Sequence, residues 1–234
     1  MGRFFTEVAR THRTSPTADA PWSDWHDWSL RDCESFWAAL WRWTEVIADL
    51  LPGGDQWDAP LVGRSRMAPP DPLLGPRWFV GARLNFAENL LRGPDRAPAL
   101  VFRNERGTRR ELCWQELRSE VARIADGLRS AGVGPADCVA GYLPNVPEAI
   151  IAMLATASIG ATWTPCSPDF GIHGVLDRFG QVAPRVLFTA DGYFYAGKTI
   201  DSLTLIASLL AKLPSVSRVV VVPYVSETPA IAGL

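Results

Sequence analysis

From Cys138 onward the sequence alternates between two kinds of segment. Short apolar runs recur at Cys138–Leu143, Thr162–Cys166, Arg185–Thr189 and Arg218–Val222. Between them lie three segments with helical signals. The first is opened by Asn145, Pro147 and Glu148 and ends near Gly160. The second carries Ile172, Val175, Leu176 and Phe179 and stops before Pro184, and the third covers Thr199–Lys212. Strands separated by helices pair in parallel through crossover connections. Four strands and three helices therefore predict three βαβ units, an α/β fold with a parallel sheet flanked by helices. The run Val219–Val222 contains no polar position, the pattern of a strand buried on both faces.

The residues before this region are organised differently. Seven of the ten tryptophans lie before residue 60. Ser29 reads as an N-cap, and Phe36, Leu40, Trp43, Ile47 and Leu50 recur at helical spacing, predicting an amphipathic helix over Leu30–Leu51. Its tryptophan face reads as a surface packed on a neighbouring domain, with a stacking surface for a ligand as the alternative. Leu51–Pro76 is rich in Pro and Gly and reads as a linker. The expected organisation is a Trp-rich helical extension and linker over 1–75, then an α/β unit over 76–234. Within the second part, Asn85 with Glu88 signals a short capped helix through Leu91. Ala99–Arg103 and Arg109–Trp114 around Asn-Glu-Arg-Gly predict a hairpin. Leu117, Val121, Ile124 and Leu128 then mark a helix that ends before Gly132.

Composition narrows the function classes. Hydrophobic residues make up 47% and charged residues 21%, which excludes a disordered tail, a coiled coil and a collagen-like chain. A net charge of −2 leaves no bulk positive charge for nucleic acid or an anionic membrane, so neither is an expected partner. The most apolar stretch, Ala149–Ala161, is 13 residues, too short to span a bilayer. Arg3, Glu7 and Arg10 leave no secretory hydrophobic region, so a cytoplasmic protein is expected. Cys33, Cys113, Cys138 and Cys166 form no C-x-x-C pair, and His12, His26 and His173 fall in no metal-ligand spacing. Free thiols in a reducing compartment and no bound metal are expected.

In an open parallel sheet, ligands bind outside the carboxyl ends of the strands. The loops that qualify are Pro144-Asn145, Ser167–Gly171 and Asp191–Lys198. The last matches the phosphate-binding pattern G-x-x-x-x-G-K-[ST] from Gly192 to Thr199. Tyr193, Phe194 and Tyr195 crowd a turn that would have to wrap a phosphate, and the 36 residues after Lys198 hold no strand ending in Asp for magnesium. As an anion site the loop is better placed. Lys198 is expected just before a helix N-terminus, where an anion between the lysine and the free N–H groups would relieve the helix dipole. A solvated surface lysine is the competing reading. Asp191 and Asp201 do not read as a catalytic carboxylate pair, and His173 reads as structural.

Several segments together resemble a known family: Trp78–Leu90, Gly141–Ala149, Met153–Ala161, Cys166-Ser-Pro-Asp-Phe-Gly171, Val175–Gly180 and Asp191–Lys198. They are similar to the N-terminal part of the acetoacetyl-CoA synthetases, a branch of the adenylate-forming acyl-CoA synthetase superfamily, over about Trp22 to Tyr224. The Cys-Ser-Pro-Asp-Phe loop and the Trp-rich start favour that branch over the acetyl-CoA synthetases.

The resemblance implies the N-terminal part of the large adenylating domain, and a two-step ligation. Acetoacetate and ATP give acetoacetyl-AMP and pyrophosphate, then CoA displaces AMP. ATP with Mg2+ and CoA are the implied cosubstrates. The loop matching Tyr195, Ala196, Gly197 and Lys198 is implied to contact the phosphate-bearing end of CoA, although some relatives carry a basic residue where this chain has Tyr195. The family's ATP-phosphate motif and C-terminal domain lie downstream, so no catalytic residue is implied in these residues. The chain is expected to be an inactive N-terminal portion whose partner is the rest of the same enzyme, with self-association through the Val219–Val222 sheet edge. A non-catalytic CoA-binding or protein-interaction module, and a P-loop NTPase, remain as alternative readings.

Overall fold

A computed structural model describes residues 2–66, 73, 75–232 and 234. The chain forms two compact units, Met1–Leu84 and Asn85–Leu234.

The first unit holds α1 (Gly2–Thr11), α2 (Trp22–Arg31), α3 (Cys33–Trp43), β1 (Ala59–Val62) and β2 (Arg77–Val80), the two strands pairing antiparallel. The helix expected over Leu30–Leu51 is found only as α3: Leu30 and Arg31 end α2, and residues 44–51, with the exposed Ile47 and Leu50, are not helical. Ser29 lies inside α2, and Asp32 leaves helical geometry at φ −123°, ψ 55°. Its carboxylate accepts from the Ser35 N–H at 3.4 Å and from the Thr14 hydroxyl at 2.7 Å, ending one helix and capping the next. On α3, Trp41 is buried while Trp37 and Trp43 remain exposed. Trp25 and Trp28 are buried with Phe4, and Trp25 stacks on Phe5 with ring centroids 4.3 Å apart. Of the expected linker, residues 67–72 and 74 lie outside the described residues.

The second unit follows the expected alternation closely. It contains α4 (Phe86–Leu90), the hairpin β3 (Pro98–Arg103) and β4 (Arg109–Cys113), and α5 (Trp114–Ser130). Next come β5 (Cys138–Tyr142), α6 (Pro147–Ser158), β6 (Thr162–Cys166), α7 (Ile172–Val182) and β7 (Val186–Ala190). The unit ends with β8 (Gly192–Tyr195), β9 (Lys198–Asp201), α8 (Leu203–Leu210) and β10 (Arg218–Val222). Asn85 caps α4 by accepting from the Glu88 N–H at 3.2 Å, and Pro147 sits in the first turn of α6.

The parallel sheet has the strand order β10-β7-β5-β6. Alternation along its strands divides the core in two. Val139, Val186 and Phe188 pack with Val121, Leu128 and Ile151 of α5 and α6. Ala140, Tyr142 and Leu187 face the other way, onto Val175 and Phe179 of α7 and Ile206 and Leu209 of α8. Helices therefore cover both faces of the central strands β5 and β7, every residue of which is buried. β10 forms one edge. The chain order places β6 on one side of β5, while β7 and β10 lie on the other, so the loops after β5 and β7 diverge at a topological switch point.

Candidate functional site

A cleft of about 770 Å³ opens at the carboxyl ends of β5 and β6. Leu143, Pro144 and Asn145 after β5 line it, as do Cys166–Asp169 at and after β6, Trp163, and Tyr193 and Tyr195 of the β8–β9 hairpin. Gly141 sits beneath the Trp163 ring, where a Cβ would lie 2.4 Å from ring carbons, so only glycine lets that ring cover β5.

The Ser167–Phe170 loop is held from below. The buried Tyr142 hydroxyl donates to the Pro168 carbonyl at 2.6 Å, with the Phe170 carbonyl 3.2 Å away. Arg178 of α7 lies 4.4 Å from the Phe170 ring centroid and also lines the cleft. Burial pushes the Cys166 thiol up from its ordinary value, so this thiol stays protonated near neutrality and is a wall rather than a nucleophile.

Burial also pushes the Tyr142 hydroxyl up, to about 12. Between pH 10 and about 12 the unfolded chain loses this proton while the folded chain keeps it, so stability falls as pH rises, by roughly 2 kcal/mol in total. Urea unfolding at pH 8 and pH 11.5 is expected to show the native chain losing about that much more stability than Tyr142→Phe. Equal losses in the two proteins would disprove this account of Tyr142.

Tyr195, Ala196, Gly197 and Lys198 come together as the tip of the antiparallel β8–β9 hairpin. Tyr195 pairs with Lys198, and Ala196 (φ 50°) and Gly197 (φ 77°) form the two-residue turn, whose positive φ angles suit glycine. This corrects the expectation that Lys198 precedes a helix. α8 begins at Leu203, and its first N–H groups are taken by the Asp201 carboxylate, which accepts from Leu203 at 3.3 Å and Thr204 at 3.0 Å. The hydrogen bond from the Thr204 side chain leads the effects that hold Asp201 below the usual carboxylate range. The loop-to-helix geometry of a phosphate-binding P-loop is therefore replaced by strands. The signal was present in the sequence: Tyr-Phe-Tyr, then Ala-Gly, then Lys-Thr-Ile is strand, tight turn, strand.

The hairpin register assigns its faces. Residues directly opposite share a face, and faces alternate along each strand. Tyr193, Tyr195, Lys198 and Ile200 therefore share one face, and both tyrosines line the cleft. Phe194 and Thr199 lie on the other face. The site thus offers aromatic and apolar walls with two cations, Arg178 and Lys198, on the elements that bound it.

Three further observations were not legible in the sequence. Asp191, at the end of β7, is buried and accepts three consecutive N–H groups, from Tyr224 (2.8 Å), Val225 (3.0 Å) and Ser226 (2.8 Å). Glu105 and Arg106, in the β3–β4 turn, contact Gly197. His173, expected to be structural, is exposed in the first turn of α7. Among the described residues, no group of three or more His, Cys, Asp or Glu could hold a metal, and no helix is long and apolar enough to cross a membrane.

The cleft thus lies at the carboxyl ends of β5 and β6 in the parallel sheet, beside a hairpin that carries Lys198. Residues 86–233 match the family of AMP-binding enzymes, and the chain belongs to that family. Among its relatives, the acetoacetyl-coenzyme A synthetase of Rhizobium meliloti is 44% identical over 213 residues, which are 91% of this chain and 31% of the relative. The acetoacetyl-CoA synthetase of Gallus gallus is 38% identical over 91% of this chain and 31% of its own length. The malonamoyl-CoA synthetase vrtB of Penicillium aethiopicum is 39% identical over 88% of this chain and 28% of its own length. The solved structure of acetoacetyl-CoA synthetase from Streptomyces lividans superposes with a TM-score of 0.85 at 38% identity, covering 98% of this chain and 34% of that one. The chain spans about a third of the length of the relatives it matches.

Proposed function

We propose that this chain is the N-terminal portion of an ATP-dependent acetoacetate–CoA ligase. In the first step a carboxylate oxygen of acetoacetate attacks the α-phosphorus of ATP, which is delivered with magnesium. Pyrophosphate leaves and acetoacetyl-AMP forms. In the second step the sulfur of CoA attacks the acyl carbon, its proton is lost, and AMP leaves with the pair of electrons from the broken acyl–oxygen bond. Acetoacetate is the proposed acid because the synthetases at 44% and 38% identity named above carry that name. The malonamoyl relative shares the CoA thioester and differs in the acid.

The observation that carries the reading is the hairpin register, which puts Lys198 on the face whose tyrosines line the cleft. Tyr195, Ala196, Gly197 and Lys198 are proposed to hold a phosphate at the nucleotide end of CoA. Lys198 supplies charge, and Gly197, lacking a Cβ, lets the turn approach the ligand. The cleft walls suit the uncharged pantetheine arm. The adenylating groups are proposed to lie outside these 234 residues, since the sequence holds no Gly/Ser/Thr-rich phosphate loop.

Calorimetric titration of the 234-residue chain with CoA and with dephospho-CoA, which lacks the 3′-phosphate, tests the reading. CoA is expected to bind about tenfold more tightly, the effect of one charged hydrogen bond. Equal affinities would refute the 3′-phosphate as the group that Lys198 holds. Acetoacetate-dependent exchange of pyrophosphate into ATP is expected to be absent from the same protein, and measurable exchange would place the adenylating groups within it.

A further inference from the structure

We propose that Glu105 and Arg106 are positioning residues that brace the CoA-binding hairpin from behind, an inference that takes its ligand from the function proposed above. A two-stranded hairpin is marginal by itself in water, and among the described residues β8–β9 pairs with no further strand. Its tip is held instead by charged side chains reaching from a distant turn. The Gly197 N–H donates to the Glu105 carboxylate at 3.0 Å. Arg106 donates to the Gly197 carbonyl at 3.0 Å and lies 3.5 Å from the Thr199 hydroxyl. Both backbone polar groups of the residue before Lys198 are thereby occupied. The Arg106 guanidinium also lies over the Phe194 ring, 4.9 Å from its centroid.

The brace is itself anchored. The Asn104 side-chain oxygen accepts from the N–H groups of Arg106 (3.1 Å) and Thr108 (3.0 Å), which shapes the β3–β4 turn. The Asn104 amide donates to the Tyr224 hydroxyl at 3.2 Å, and the Tyr224 ring packs edge-on against Phe194 at 5.3 Å. The contacts to Phe194 and Thr199 are on the hairpin face opposite Tyr195 and Lys198. Arg106 therefore steadies the tip without occupying the ligand's side. Its planar fork does two things at once, donating to a carbonyl and stacking on a ring, which lysine cannot do.

Amide hydrogen exchange at Gly197, measured without ligand, is expected to be about fivefold faster in Glu105→Ala and Arg106→Ala, the loss of one exposed hydrogen bond each. CoA affinity is expected to fall about fivefold in Arg106→Ala and to be only partly restored in Arg106→Lys. In a Lys198→Ala background, Arg106→Ala should cost clearly less than in the native chain, because the brace acts through the residues it positions and the charged one of them is gone. Losses that add in full would mean that Arg106 acts independently of Lys198, and would overturn its role in positioning that residue. Unchanged Gly197 exchange in both single variants would overturn the brace whatever CoA does. Faster exchange in a chain that shows no affinity for CoA would keep the brace and reject the ligand. Both side chains are exposed, so these variants retain the fold.

Discussion

Lys198→Ala is expected to weaken CoA by about 10- to 100-fold. A hydrogen bond to a charged group contributes roughly 1.5–3 kcal/mol, and each 1.4 kcal/mol is a factor of about ten. Lys198→Glu should weaken it further, since a carboxylate beside the phosphate adds repulsion to the lost attraction. The preference for CoA over dephospho-CoA should vanish in both variants. In a full-length ligase carrying this segment, pyrophosphate exchange should stay within about twofold of the parent, because the role proposed for the lysine begins only when CoA arrives. The P-loop reading demands the opposite: nucleotide hydrolysis lost and CoA irrelevant. The hairpin already argues against it, since Lys198 pairs with Tyr195 across a tight turn and does not open a helix. An unchanged CoA affinity in Lys198→Ala would return the residue to the solvated surface.

Asp191→Ala is expected to destabilise the Asn85–Leu234 unit by about 3 kcal/mol, lowering its melting midpoint by roughly 6–12 °C. The buried carboxylate takes the N–H groups of three consecutive residues where the chain leaves β10, and the Asp191 N–H itself donates to the Val222 carbonyl at 3.1 Å. Removing it leaves three donors without partners at the carboxyl edge of the sheet. Asp191→Asn should recover less than half of the loss, because its NH2 group meets backbone N–H groups and two donors face each other. Asp201→Ala is the contrast, an exposed carboxylate at the start of α8 and worth about 1 kcal/mol. If Asp191→Ala and Asp201→Ala melted at the same temperature, the loop beyond β10 would be rehydrating its amides, and the buried network would count for little.

The elements themselves were legible because their causes are local. Runs of apolar residues at Thr162–Cys166 and Arg218–Val222 became β6 and β10 with the boundaries read from the sequence. Asn85 became a cap, since its side-chain oxygen lies beside the Glu88 N–H in any helix starting at Phe86. Lys198 and its neighbours were legible as a group through the resemblance, but the geometry first inferred for them was not the one found. The helical period belongs to Leu203–Leu210 alone, and Thr199–Asp201 before it alternate as a strand. Asp32 was missed for a related reason. The apolar period read there starts only at Phe36, after Asp32, whose hydrogen bonds to Thr14 and Ser35 mark the break between α2 and α3.

What the sequence by itself determined is therefore the helices and parallel strands of the second unit, though not the β8–β9 hairpin, with the parallel α/β class and the candidate loops, because side-chain period and capping report on one element at a time. The tertiary structure alone decided the strand order β10-β7-β5-β6, the face on which Lys198 stands, and the partners of Asp191, Glu105 and Arg106. Four apolar strands carry nearly equal local signals, so their order follows from which pairings let helices cover both faces at once. Arg106 reaches Gly197 across 91 residues of chain. Such a contact depends on how every intervening element packs, and no local pattern encodes that.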